Sequence, residues 1–476
     1  LFPGSPFRTT FASNHNPSDF PAMTVQTQPS LPPCDYTPPS YEGPSREETL
    51  ALRQQYLNPG LFLYYGQPIQ IVDGHMQYLY EDNGRRYLDA FGGIVTVGVG
   101  HAHPHVVEAA HRQMQRVSHT TTIYLNPVIA EYAEHLASKM PGDLKVCYFV
   151  NSGSEANDLA MMMARVYTGN FDIVALRNAY HGGSGGTMGL TAHSSWKFNF
   201  PHSFGVHHAL HPDPYRGRYG HDDPEAGPKY AEDIRETIRY GTSGQVAAFF
   251  AESIQGVGGV VVFPDGYLRE SYRIVREHGG VTIADEVQAG FGRTGEAFWG
   301  FETQGVVPDI VTMAKSIGNG APLAAVVTTP EIASVVQQRI HFNTFGGNPV
   351  SCAIGKAVLE VIEKENLQER CAVLGERLLG GLRPMVDRYE SVGEVRGKGL
   401  MVGVEMVADS GSKAPSKARC TAVFEKCREL GVLIGKGGLD GNILRITPPM
   451  CVHEGDIDFL LEVLDLAFAE ADSVAG

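Results

Sequence analysis

Between residues 106 and 345, short apolar runs alternate with longer stretches whose apolar residues recur at helical spacing. The runs lie at 146–150, 172–176, 246–251, 281–284 and 309–313; the first four stop on a polar residue, and the fifth ends one residue short of Lys315. Runs of this kind fit strands buried on both faces. Strands that alternate with helices predict an α/β unit with a large, mostly parallel sheet. After about residue 350 the pattern changes. Helical segments at 351–365, 368–389, 415–430 and 454–470 flank short strand-like runs at 400–406, 432–435 and 443–446, which predicts a smaller α+β domain.

Upstream of the sheet, residues 46–60 predict a helix that ends at Pro59-Gly60. The next stretch reads as a small meander with turns at Asp73-Gly74 and Asn83-Gly84. Residues 91–105 form a glycine-rich loop entering a helix. Residues 1–45 are rich in Pro, Ser and Thr and lack periodicity, which predicts a disordered or extended arm. Its opening L-F-P-G-S-P-F-R-T-T-F-A-S has the hydroxyl-rich texture of a transit-peptide remnant. The expected organisation is therefore an arm over 1–45, a segment over 46–100 that packs with the small domain, a large domain over 101–345 and a small domain over 346–476.

Composition narrows the partners. A net charge of −15 argues against a nucleic-acid surface, which calls for clustered Lys and Arg. No apolar run approaches the ~20 residues of a membrane helix, so no membrane partner is expected. The seven cysteines are scattered, odd in number and without a C-x-x-C pair, which suits a reducing compartment rather than a disulfide framework. His101, His103 and His105 alternate, but no Cys or carboxylate lies among them; a turn with a helix start is the expectation, and no metal.

The chemistry concentrates between residues 279 and 320. One strand-like run stops on Asp285-Glu286, and the next delivers Lys315 into a glycine-rich turn. Strand ends of an α/β sheet face the ligand crevice, so a carboxylate and an amine thirty positions apart meet at one rim. Pyridoxal phosphate uses such a pair: a lysine to hold its aldehyde and an acid to keep its pyridine nitrogen protonated. Gly153 and Ser154, in N-S-G-S-E-A-N-D, sit where a helix begins, and its free N–H groups suit a phosphate; an ordinary cap at Ser152 or Ser154 reads equally well. Tyr180 is placed to cover the flat face of a pyridine ring or to fill core. Gln288 lies one turn beyond Asp285, within reach of a phenolic oxygen. Thr344 stands beside two glycines in F-N-T-F-G-G-N-P. Arg445, inside an apolar strand, calls for a planar anion, either a substrate carboxylate or an internal carboxylate partner.

In order, N-S-G-S-E-A-N, Y-H-G, E-x-I-Q-G, D-E-V-Q-x-G-F-G-R-T-G, A-K-x-I-G-N-G, T-F-G-G-N-P and R-I-x-P-P resemble the class III pyridoxal-phosphate aminotransferases. R-R-Y-L-D-A-F-G-G-I-V-T-V, M-P-G-D-L-K-V and H-F-N-T-F-G-G-N-P are similar to mitochondrial-type, plant-like alanine–glyoxylate aminotransferases. The resemblance implies the aspartate-aminotransferase fold (fold type I) and pyridoxal 5'-phosphate as cofactor. It implies Lys315 as Schiff-base lysine and proton shuttle, Asp285 as pyridinium partner and Gln288 at the phenolic oxygen. Gly153 and Ser154 take the phosphate, Tyr180 the ring face and Arg445 the substrate carboxylate. Thr344 reaches the phosphate of a neighbouring subunit, so the sites are shared across a homodimer or a dimer of dimers. The implied location is the mitochondrial matrix.

One position departs from part of the class. Ornithine and 4-aminobutyrate members carry a glutamate directly after the Gln-Gly or Gln-Ser pair, where it neutralises the arginine. Here A-E-S-I-Q-G-V-G-G puts Val257 in that place, with Glu252 nearby as a supporting residue behind the site. The substrates implied are small amino acids and 2-oxo acids, with L-alanine and glyoxylate giving pyruvate and glycine. A β-alanine or 3-aminoisobutyrate transaminase is the alternative within the class. A non-catalytic binding protein on this scaffold is the alternative outside it, and such a protein is expected to have lost Lys315 or Asp285.

Overall fold

The structure, a computed structural model, describes residues 29–473. The transit-peptide reading falls outside that range. Residues 29–45 hold no helix or strand and lie extended across the meander. Tyr36 stacks on His75 with ring centroids 4.3 Å apart, and Arg86 donates to the Pro32 carbonyl at 2.5 Å.

A seven-stranded sheet organises the large unit. Its order is Val146–Val150, Ala324–Thr328, Ile310–Met313, Val281–Asp285, Ala248–Glu252, Ile173–Leu176, Val206–Ala209. Only Ala324–Thr328 runs antiparallel to its neighbours. The central strands are buried along their whole length, which explains their unbroken apolar runs. The Gly153–Thr168 helix packs Leu159, Ala160 and Met163 onto the sheet and stops at Gly169, whose φ of +70° ends the helix. Met162 and Val166 of the same helix are exposed, so the buried stripe lies a step round the helix from them.

The second unit is a four-stranded antiparallel sheet, Val392–Lys398, Met401–Met406, Ile443–Ile446 and Gly435–Gly437, covered by helices that include Leu367–Leu382, Lys417–Glu429 and Glu454–Ala471. The segment expected as one helix over 368–389 is two, because Pro384 interrupts it before Met385–Arg388. Val432–Leu433 leaves this sheet and pairs in parallel with Arg86–Asp89, so the N-terminal meander shares a sheet with the C-terminal segment. In that meander Asp73-Gly74 lies within a bulged strand, Ile71–His75, and not at a turn. The turn falls at Met76, which takes φ +52°. The first helix closes early, at Arg46–Tyr56. Among the described residues no helix is long and apolar enough to cross a membrane.

His101, His103 and His105 go to three separate carboxylates, Asp89, Glu365 and Glu360, at 2.7, 2.9 and 2.6 Å. The fold supplies acidic partners that the local sequence lacks.

Candidate active site

Strand alternation sends Asp285 and Glu286 to opposite faces. Glu286 turns into the core, where it accepts the Gly300 and Phe301 N–H groups at 2.7 and 2.9 Å and the Ser253 hydroxyl. Burial there pushes its carboxyl up to about 7. Asp285 faces a cavity of about 190 Å³ at the carboxyl ends of the central strands. That is below the ~300 Å³ at which drug-sized pockets begin, so the space suits one small ring and not a dinucleotide. Asp285 Oδ2 accepts from His181 Nδ1 at 2.7 Å and Asn157 Nδ2 at 2.9 Å, and Oδ1 accepts the Val287 N–H at 3.1 Å.

Lys315 reaches the same cavity from the adjacent strand, whose Thr312 pairs with Asp285. Its φ is +55°, a left-handed backbone that costs a non-glycine residue about 1–3 kcal/mol. The turn is held from the 95–100 loop. Ser316 Oγ donates to the Val95 carbonyl at 3.2 Å, while Asn319 accepts the Val99 N–H at 3.0 Å and donates to the Gly100 carbonyl at 2.9 Å. Among the described residues the Lys315 amine has no hydrogen bond or ion pair. Burial, then the Arg445 charge, lowers its pKa to about 8 against the opposing pull of Asp285 and Glu252.

At the cavity's other end Ser152 caps the Gly153–Thr168 helix, accepting the Glu155 N–H at 3.2 Å. The N–H groups of Gly153 and Ser154 are left without an acceptor among the described residues. Gly182, at φ +122°, closes over them. A Cβ there would lie 2.3 Å from Ser154 Oγ, so only glycine permits the approach. Capping and anion cradle are thus one arrangement, with Ser152 as cap and the next two residues as free donors. Tyr180 lines the wall with its ring edge-on to Trp196 at 5.1 Å. Glu252, beside Asp285 in the sheet, accepts the N–H groups of Tyr180 and Gly256 at 3.0 and 2.8 Å. Burial raises its pKa.

Arg445 approaches from the second unit and is buried. Its Nη2 donates to Gln288 Oε1 at 2.7 Å, and Nε has no partner among the described residues. Burial lowers its pKa. Seven expected residues, Gly153, Ser154, Tyr180, Glu252, Asp285, Gln288 and Lys315, therefore line one cavity, and Arg445 joins it through Gln288. Thr344 does not. It sits in an exposed loop outside the cavity lining.

The family model described as aminotransferase class III matches residues 65–468. The chain belongs to the class III aminotransferase family. It is 56% identical over 443 residues, 93% of this chain and 92% of the relative, to alanine–glyoxylate aminotransferase 2 homolog 2, mitochondrial, of Arabidopsis thaliana. The human alanine–glyoxylate aminotransferase 2, mitochondrial, is 45% identical over 94% of this chain and 91% of its own. A solved amine transaminase from an uncultivated Pseudomonas species, in its PLP-bound form, superposes with a TM-score of 0.82 at 30% identity, covering 88% of this chain and 99% of that one.

Two side chains in this aminotransferase's site escaped the sequence reading. His181 and Asn157 fix the Asp285 carboxylate, and both lie inside quoted motifs, Y-H-G and N-S-G-S-E-A-N. The signal was the place of His181 next to Tyr180 and of Asn157 about one helical turn after Ser154. What it lacked was the third strand end they point to. A third omission, Phe91, lies under the Arg445 guanidinium with 5.3 Å from Cζ to the ring centroid.

Proposed function

We propose that this aminotransferase holds pyridoxal 5'-phosphate between Asp285 and Lys315 and moves the amino group of L-alanine to glyoxylate, giving pyruvate and glycine. The carrying observation is an unpaired amine and a triply hydrogen-bonded carboxylate at neighbouring strand ends of one small cavity. The residues fit the cofactor: free N–H groups at Gly153 and Ser154 for its phosphate, an acceptor at Asp285 for its ring N–H, and an amine for its aldehyde. When bound, it supplies an electron sink for the bond broken at the substrate Cα.

The chain's own groups do the rest. Asp285, oriented by His181 and Asn157, accepts the ring N–H and keeps that proton in place. Lys315 removes the proton from the substrate Cα and returns it further along. Tyr180 covers the ring face, Glu252 holds the Tyr180 backbone, and Gln288 donates to the phenolic oxygen. Arg445 binds the substrate carboxylate through its fork.

Alanine and glyoxylate follow from the Arabidopsis and human relatives, which carry both names, and from Arg445. Each half-reaction presents a carboxylate to it, and among the described residues no side-chain carboxylate pairs with it. Val257 supports this: its backbone carbonyl accepts the Gly438 N–H at 2.9 Å alongside the arginine stem, and its side chain carries no charge. With glyoxylate as acceptor, a panel of donors should rank alanine above ornithine and 4-aminobutyrate. Val257→Glu should lower kcat/KM for alanine about tenfold or more by pairing off Arg445. A wild-type preference for 4-aminobutyrate would sink this reading. Both relatives are named mitochondrial, and we extend the reading to the mitochondrial matrix.

The site is shared between two copies in this reading. Thr344 stands apart from its own cavity on a loop with exposed Ile340, Phe342 and Phe345; His119 packs on Phe345, and the segment that follows His119 exposes Ile123 and Leu125. Apolar exposure of this kind marks a protein contact. Lys315→Ala and Thr344→Asp should each be inactive, yet randomly mixed dimers should recover about a quarter of wild-type activity, because each heterodimer has one site free of both lesions. Heterodimers that form and stay inactive would refute sharing.

A further inference from the structure

Arg445 is a buried cation whose contacts are all neutral. Its Nη2 donates to the Gln288 amide oxygen at 2.7 Å, and its Cζ stands 5.3 Å from the Phe91 ring centroid. Among the described residues it has no ion pair. Three glycines make room for this arrangement. A Cβ on Gly256 would lie 2.3 Å from Gln288 Oε1, one on Gly435 would lie 2.1 Å from the Phe91 ring, and one on Gly437 would lie 2.6 Å from Arg445 Cδ. Tyr64 backs the Phe91 ring, stacked at 6.0 Å. Each neutral partner is thus seated in space that a side chain would fill.

Arginine only donates, so Gln288 must present its oxygen to it, and the amide NH₂ is left for the cavity side. A glutamate in the same role would cancel the charge and would compete with an incoming carboxylate. A neutral oxygen holds the guanidinium in position and leaves its charge in force. We propose that Gln288 is the resting partner of Arg445 and a specificity-determining residue: it keeps the arginine placed but uncancelled, so the site selects substrates that bring a carboxylate. This rests on Arg445 being the carboxylate site of the proposed function.

The titratable and charged groups that act on Arg445 are Tyr64, Glu252 and Lys315, and Lys436 lies opposite its neighbour Leu444 on the adjoining strand. Glu252 has both oxygens on backbone N–H groups, and the Tyr64 hydroxyl donates to the Lys436 carbonyl at 3.0 Å. None of them stands where a gating carboxylate would.

The test is equilibrium binding of propionate, a carboxylate with no amine to transfer, to the holoenzyme, followed by the visible absorbance of the cofactor. Wild-type affinity should change less between about pH 6 and 7.5 than that of Gln288→Glu, whose introduced carboxyl adds its own titration beside the arginine. Gln288→Glu should weaken propionate binding roughly tenfold or more near neutral pH, with recovery on acidification as the introduced carboxyl protonates. Wild-type binding that tightens on acidification as steeply as that of Gln288→Glu, or a Gln288→Glu protein that binds propionate like wild type, would overturn the proposal. Arg445→Met separates the two readings. Lost binding there with unchanged binding in Gln288→Glu defeats the role of Gln288 alone. Retained binding in Arg445→Met defeats the assignment of Arg445 and, with it, the proposal.

Discussion

Lys315→Ala should lower kcat by roughly 10³-fold or more, because it removes both the cofactor's anchor and the base at Cα. No other group lining the cavity can replace it. His181 is committed to Asp285 at 2.7 Å, and Glu252 has both oxygens on backbone N–H groups. The measurement is single-turnover kinetics with alanine, alongside a melting curve that should move little, since the amine makes no hydrogen bond or ion pair among the described residues. The same environment sets a pH dependence. Burial lowers the amine's pKa to about 8. Below that value the ammonium cannot attack the cofactor's aldehyde, so the rate at which cofactor-free protein takes up pyridoxal phosphate should rise through about pH 8 and then level off. A rate still climbing above about pH 10, where an ordinary lysine titrates, would contradict the shift.

Asp285→Asn should cost about 10²–10³-fold in kcat, the size typical of one preorganised electrostatic contact. The amide keeps the shape but loses the charge that holds a proton on the ring nitrogen. It also puts an NH₂ group where the Val287 N–H, or the His181 and Asn157 donors, require an acceptor. Cofactor retention should weaken with it, which a dissociation constant by absorbance would show. A near-normal kcat would mean that another group keeps the ring nitrogen protonated.

The site was legible in the sequence to the extent that it depends on strand ends. Asp285 and Lys315 close unbroken apolar runs, and in a sheet of this kind those ends share a rim. Less legible were features set by pairing between distant segments. Ala324–Thr328 is as apolar as its neighbours, but it follows the glycine-rich turn so closely that no helical spacer announces it, and it reverses direction. Val206–Ala209 contains two histidines and is not among the apolar runs, though it forms the edge strand of the sheet. The contact of Gln288 with Arg445 joins residues 157 positions apart across two units, and no local pattern encodes it. The left-handed backbone at Lys315 is hidden for the opposite reason. Lysine has no preference for that region, and it is the surrounding bonds from Ser316 and Asn319 that impose it. Pro384 carries the signal for the helix break, but the apolar spacing continues past it, and the expectation of one helix over 368–389 followed the spacing.

The central claim is that the amine on the Ile310–Met313 side of the cavity carries the cofactor opposite Asp285. Borohydride reduction of the holoenzyme, followed by peptide mapping, tests it most directly. The account predicts a visible chromophore that reduction bleaches, with the pyridoxyl label on the peptide containing Lys315. Label on another lysine, or no chromophore after pyridoxal phosphate is added, would contradict it.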